Sequence, residues 1–177
     1  MALIQTIIGS FTKSSGLGKN ISSSICQEVA DHGLAASIST FNLNYSNTGL
    51  FGIIATALDN KLDDMLWYVM PNMVWLAHGV IDEEVTRAKI ALWMQIVLEY
   101  DEDIAVGEEM ALQIQTVGRV MPLSEMAARV DTLTIDNIKA AADEVINDQD
   151  HALTAIGGIH ELPDYQWICC HSYMLRY

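Results

Sequence analysis

Histidines, cysteines, serines and paired carboxylates are the side chains able to do chemistry in this chain, and their spacing decides what they can do. A helical zinc site that hydrolyses peptides needs two histidines four residues apart on one face, with a glutamate beside them as base. The five histidines are His32, His78, His151, His160 and His171, and no two are four apart. His160 has Glu161 as a neighbour but no second histidine, so it reads as a surface residue. Ser14, Ser15, Ser22, Ser23 and Ser24 supply hydroxyls, yet no G-x-S-x-G elbow exposes one as a nucleophile. Cys26 falls on an expected helix with only His32 nearby and reads as a small buried residue. Gly16-Leu17-Gly18-Lys19 suggests a phosphate loop, but no strand precedes it and the G-x-x-x-x-G-K-[ST] spacing is absent, so it reads as a plain loop. The acidic pairs Asp63-Asp64, Glu83-Glu84 and Glu108-Glu109 diverge by about 100° on a helix and cannot converge on one proton. The chain is therefore expected to hold no catalytic residue and no metal ligand of its own.

Composition narrows the setting. Acidic residues outnumber basic ones by 23 to 9, a formal charge of -14, which argues against nucleic acid or an anionic membrane as partner and favours a basic peptide. Cys26, Cys169 and Cys170 are odd in number and two are adjacent, which argues against a disulfide framework and for a reducing compartment, and the lack of C-x-x-C excludes a zinc ribbon or thioredoxin-like motif. Residues 65–81 carry no Asp, Glu, Lys or Arg, but the run is shorter than the about 20 residues of a membrane span and contains Pro71, Asn72 and Gly79. A helix buried in the core or against a partner is expected there. The amino terminus has neither the basic region of a signal peptide nor the arginines of a transit peptide. Residues 2–8 read as a helix, and a mitochondrial protein would then be a processed or partial form.

The positioning elements follow from periodicity. A loop is expected over 10–24, then a helix capped by Ser22, Ser23 or Ser24, running to Asp31 and closed by Gly33. Phe41, Leu43 and Tyr45 alternate with Asn42 and Asn44, the pattern of a strand with one buried face. Ser46-Asn47-Thr48-Gly49 supplies turn chemistry and residues 50–58 a second apolar run, giving a hairpin with strands near 36–45 and 49–58. A helix should open at Asp59 or Asn60, be kinked or divided at Pro71, and end at Gly79. Further helices are expected from Asp82, with Val85, Ala88, Leu92, Ile96 and Val97 inward, over 101–117 and 123–130, and after Thr134, with Ile138, Ala142, Val145 and Ile146 apolar. A last strand is expected at 152–156. With no repeat, low-complexity tract or long linker, residues 1–177 read as one α+β domain: an antiparallel or mixed sheet with helices packed on one face.

The hairpin lettering, Phe41-Asn42-Leu43-Asn44-Tyr45-Ser46-Asn47-Thr48-Gly49-Leu50-Phe51-Gly52-Ile53, resembles the second half of the pitrilysin-type zinc peptidases, in the branch of mitochondrial processing peptidase β subunits and respiratory complex III core proteins. Other blocks match in order: Ile8-Gly9-Ser10 and Asn20-Ile21-Ser22-Ser23, Glu84-Val85-x-Arg87-Ala88-Lys89, Met126-Ala127-Ala128-Arg129-Val130-Asp131, and Gly157-Gly158-Ile159-His160-Glu161-Leu162-Pro163-Asp164-Tyr165. Asn47 stands where the family usually has Asp and Gly158 where it has Pro, Pro71 interrupts a helix normally continuous, and 104–117 keeps little of the family lettering. The resemblance implies the second-half domain of that fold without its first strand, a sheet edge that another polypeptide should cover, and the wall of a chamber for basic presequences. The H-x-x-E-H motif is absent, so zinc would belong to a partner chain or to an N-terminal half outside this sequence. It further implies an α-type or core 2 partner subunit, other complex III subunits, and the mitochondrial matrix or the matrix face of the inner membrane. Substrate contact would fall on Gly16, Gly18 and Lys19, from the family's glycine loop, and on Tyr45 and Asn47. The alternative is a structural core subunit of respiratory complex III without peptide chemistry.

Overall fold

A computed structural model describes residues 1–15, 21–101 and 103–173. Helix α1 (Ala2–Ile8) buries Leu3, Ile4 and Ile8 and leads into a short strand β1 (Phe11–Thr12) and a single 3-10 turn at Lys13–Ser15, inside the stretch expected to be loop. Helix α2 (Ser24–Asp31) begins where Ser23 accepts a hydrogen bond from the Cys26 amide. It ends in a Schellman motif: Leu34 N–H donates to Val29 C=O at 3.0 Å and Gly33 N–H to Ala30 C=O at 3.2 Å. The motif requires a left-handed residue, and Gly33 supplies it with φ 58°.

The hairpin forms as expected from β2 (Ala35–Asn44) and β3 (Gly49–Ala57), paired from Ala35↔Ala57 to Asn44↔Gly49. With Thr12 opposite Ser37, the sheet order is β1-β2-β3, antiparallel throughout. Phe41 faces Gly52 across the ladder, and a Cβ there would lie 2.7 Å from the ring, so only glycine lets the aromatic lie flat over its neighbour. Helices α1 and α2 cover β2, and Gln5 fixes the first of them by donating from Nε2 to Thr40 C=O at 3.1 Å.

Helix α3 (Leu62–His78) runs undivided through Pro71. Pro71 is exposed, so its ring meets water rather than packed side chains. The inner stripe, Met65, Leu66, Val69, Met70, Met73, Leu76 and Ala77, is buried mainly against α7 (Ile135–Val145) and α2. Asn72 donates to Glu28 at 2.7 Å across that second contact. Thr134 caps α7, and Ile138, Ala142 and Ile146 are buried, but Val145 is exposed. Helix α4 (Asp82–Glu99) packs on α1, and of its residues only Val85 and Ala88 are fully buried. Leu92 and Ile96 are half-buried and Val97, expected inside, is exposed, because the second half of α4 projects beyond the body. Helix α5 (Asp103–Val117) follows it outward, and α6 (Leu123–Thr132) returns. Arg119 and Arg129 both bind Glu125, at 2.5 and 2.9 Å, and hold its carboxyl below the usual carboxylate range, Arg119 foremost.

Residues 152–156 form no strand. A ladder needs a neighbour to accept its hydrogen bonds, and no described strand runs beside this segment. Ile156 is 97% exposed. An unexpected helix α8 (Tyr165–Cys170) docks on α3 instead, through Trp67, Trp167 and His171. Among the described residues no helix is long and apolar enough to cross a membrane.

Candidate functional site

The hairpin tip carries two of the residues singled out in the sequence. Tyr45 and Asn47 sit in the four-residue connection between β2 and β3, closed by the Tyr45 N–H donating to Thr48 C=O at 2.9 Å. Both side chains are exposed, and Leu43 and Leu50 are exposed beside them, so the tip offers one aromatic and two aliphatic groups to solvent. The other candidates, Gly16, Gly18 and Lys19, lie outside the described residues. Their anchor, Thr12, pairs with Ser37, eight residues from Tyr45. At the rise of an extended strand this is about 26 Å, so anchor and tip stand at opposite ends of β2.

No described group of His, Cys, Asp and Glu could hold a metal ion. His160 reaches only Asp59, with Nε2 to Oδ2 at 3.9 Å and both groups largely exposed. His32 stacks on Tyr68 with ring centroids 4.7 Å apart. His171 stacks on Trp167 at 3.8 Å and its Nδ1 meets the Trp167 carbonyl at 2.8 Å, so Nδ1 carries the proton and the ring is held as an orienting group. The acidic pairs also have local duties: Asp63 and Asp64 occupy the first turn of α3, and Glu84 accepts from the Ile81 amide at the start of α4.

Cys26 is fully enclosed and donates from Sγ to Ile8 C=O at 3.2 Å. Burial pushes the thiol above its ordinary range, against a smaller opposing effect from Ser23. The thiolate is the reactive form, so the native chain should lose two thiols, Cys169 and the exposed Cys170, to iodoacetamide, while Cys26 reacts at least about tenfold more slowly until urea unfolds the chain. Mass spectrometry of the labelled peptides reads the outcome, and equal labelling of all three would show that Cys26 is reachable. The described arrangement therefore offers shape, an exposed tip and negative charge.

Two features escaped the sequence. The ring cluster of Trp67, Trp167 and His171 joins residues too distant for any periodicity to connect. The outer faces of α4 and α5 carry exposed Ile90, Met94, Leu98, Ile104, Leu112 and Ile114, a signal present in the spacing but readable as core.

The family model for the peptidase M16 inactive domain matches residues 1–92. The chain is 38% identical over 177 residues, all of its own length and 33% of the relative's, to a probable mitochondrial-processing peptidase subunit beta of Arabidopsis thaliana. It is 33% identical over 99% of its length, and 38% of the relative's, to the mitochondrial-processing peptidase subunit beta of Dictyostelium discoideum, and 32% identical over 99% and 36% to that of Bos taurus. It thus spans about a third of the length of the curated relatives it matches. Among solved structures, a chain of complex III2 from Candida albicans, with Inz-5 bound, superposes with a TM-score of 0.92 over 98% of this chain and 42% of that one, at 23% identity.

Proposed function

The chain belongs to the M16 peptidase family through its inactive domain, and from that membership we propose that it is the C-terminal part of a processing-peptidase β-type subunit. In this reading it helps enclose the chamber in which basic presequences are cut by a zinc site outside this chain. The observation that carries the proposal is the match along the whole chain to proteins named as β subunits, combined with a described surface that holds no metal-binding group. The charge of -14 supports a chamber wall that attracts Arg-rich peptides and loses that attraction in salt. Partners in this reading are a zinc-bearing chain or half, which also covers the free edge of β3, and an α-type or core 2 subunit. The place is the mitochondrial matrix or the matrix face of the inner membrane, as the relatives' names suggest. Tyr45 and Asn47 at the exposed tip, with Gly16, Gly18 and Lys19, are assigned to presequence contact.

The test is cleavage of a fluorogenic basic presequence by the native assembly, purified through a tag on this chain. The assembly should cut at least about a hundredfold faster than the isolated chain, a zinc chelator should abolish the difference, and Zn2+ should restore it. Tyr45→Ala with Asn47→Ala should raise KM several-fold at constant kcat. The likeness to a complex III2 chain favours a second reading, a structural core subunit. An assembly carrying complex III subunits and quinol oxidation, but no zinc-dependent cleavage, would establish that reading instead.

A further inference from the structure

Helices α4 and α5 form an arm whose outer faces none of the described residues covers. On α4, Ile90, Met94 and Leu98 follow at four-residue spacing along one face, each more than half exposed. On α5, Ile104, Leu112, Ile114 and Val117 are likewise more than half exposed. Among its described residues α5 buries only Gln113, which accepts from the Met121 amide at 2.8 Å, and it packs extensively on no other element. Along α4, and reaching Ala105 of α5, runs an open trough of about 600 Å³ lined by Ala91, Met94, Gln95, Leu98, Glu99 and Ala105. A recess of about 190 Å³ continues it between α4 and α6, with Met94 common to both.

Two physical arguments define what fits. First, a 15-residue helix without tertiary packing is marginal in water, so the cover of α5 must be constant rather than transient. An apolar face of this extent is also the kind that monomers do not leave wet. Second, residues 90–118 contain no Lys or Arg and include Glu99, Asp101, Glu102, Asp103, Glu108 and Glu109. A second copy of this chain would bring the same acids against themselves. We propose that the α4–α5 trough is the seat of a cationic amphipathic helix belonging to a permanent partner subunit, its apolar stripe on Met94 and Leu98 and its Lys or Arg side chains facing the acidic rim. This is helix-in-groove recognition. It does not rest on presequence processing, because a substrate that comes and goes cannot hold α5.

The test is photocrosslinking in the native assembly with p-benzoylphenylalanine at Leu98. In the absence of any precursor it should yield one crosslinked subunit, mapped by mass spectrometry to a helix bearing Lys or Arg. Leu98→Asp with Leu112→Asp should lower retention of that subunit at least about tenfold. Both residues are exposed, so the isolated variant should keep its circular dichroism. Glu108→Lys with Glu109→Lys, which leaves the apolar face intact, should weaken retention and remove its dependence on salt. Crosslinks formed only after a basic precursor is added, crosslinks to another copy of this chain, a helix without basic residues, or no crosslink would each overturn the proposal.

Discussion

Ile4→Ala lowers the stability of the chain by about 3 kcal/mol, read as a fall in the urea midpoint at constant slope. Ile4 is 1% exposed in the middle of α1, a helix of seven residues that touches α2, β2, α4 and α7. Alanine is the better helix former, so the change leaves the helix itself intact and the loss is packing: methyl groups removed, and a cavity that four elements cannot all close. The control is Thr6→Ala. Thr6 is on the same helix, and its hydroxyl donates only to Ala2 C=O within that helix, so the change should stay within about 0.5 kcal/mol. If the two variants proved equally stable, α1 would not be the element that fixes α4 to the sheet. Because α4 reaches the body chiefly through α1 and α6, Ile4→Ala should also loosen the arm that α4 carries and make 100–118 the first target of limited proteolysis.

Local rules located most elements, and the failures share a cause. Gly33, Ser23 and Thr134 act on backbone groups one to four residues away, so caps and turns were readable in the chain itself. The hairpin, expected at 36–45 and 49–58, spans Ala35–Asn44 and Gly49–Ala57 for the same reason. The alternation of Phe41, Leu43 and Tyr45 gave the strand correctly but not its burial. Leu43 and Tyr45 project past α1 and α2, and periodicity cannot say where cover ends. Val97, placed on the inner face of its helix, failed in the same way. Residues 152–156 have the composition of a strand, yet strand propensity describes fit to a neighbour and no described strand lies beside them. Two-residue β1 is too short for any period to register. Of the candidate site, the turn that carries Asn47 was legible from Ser46-Asn47-Thr48-Gly49, whereas the exposure of Tyr45, read with the buried face of the strand, was not. That Thr12 and Tyr45 lie at opposite ends of β2 was not, since it depends on register across strands.

Helix α8 is the clearest case of structure made by tertiary contact, and Trp167→Ala is expected to remove it at a cost of about 3 kcal/mol. Six residues cannot sustain a helix in water alone. What holds this one is the stack of Trp167 on His171 at 3.8 Å, both rings lying within 6.0 Å of Trp67 on α3, with Ile168 2% exposed beneath. Removing the Trp167 ring takes the shared surface from both helices and opens Ile168 to water. The end of α8 also anchors the segment before it, because the Asp148 amide donates to Ser172 C=O at 2.9 Å. Loss of α8 should therefore expose 148–164 to protease as well as lowering the urea midpoint. Trp167→Phe keeps a ring in the stack and should retain most of the stability. His171→Phe keeps the stack but loses the Nδ1 contact to the Trp167 carbonyl, worth about 1 kcal/mol. An ordering with His171→Phe worse than Trp167→Ala would mean that the hydrogen bond, and not the aromatic surface, seats α8 on α3.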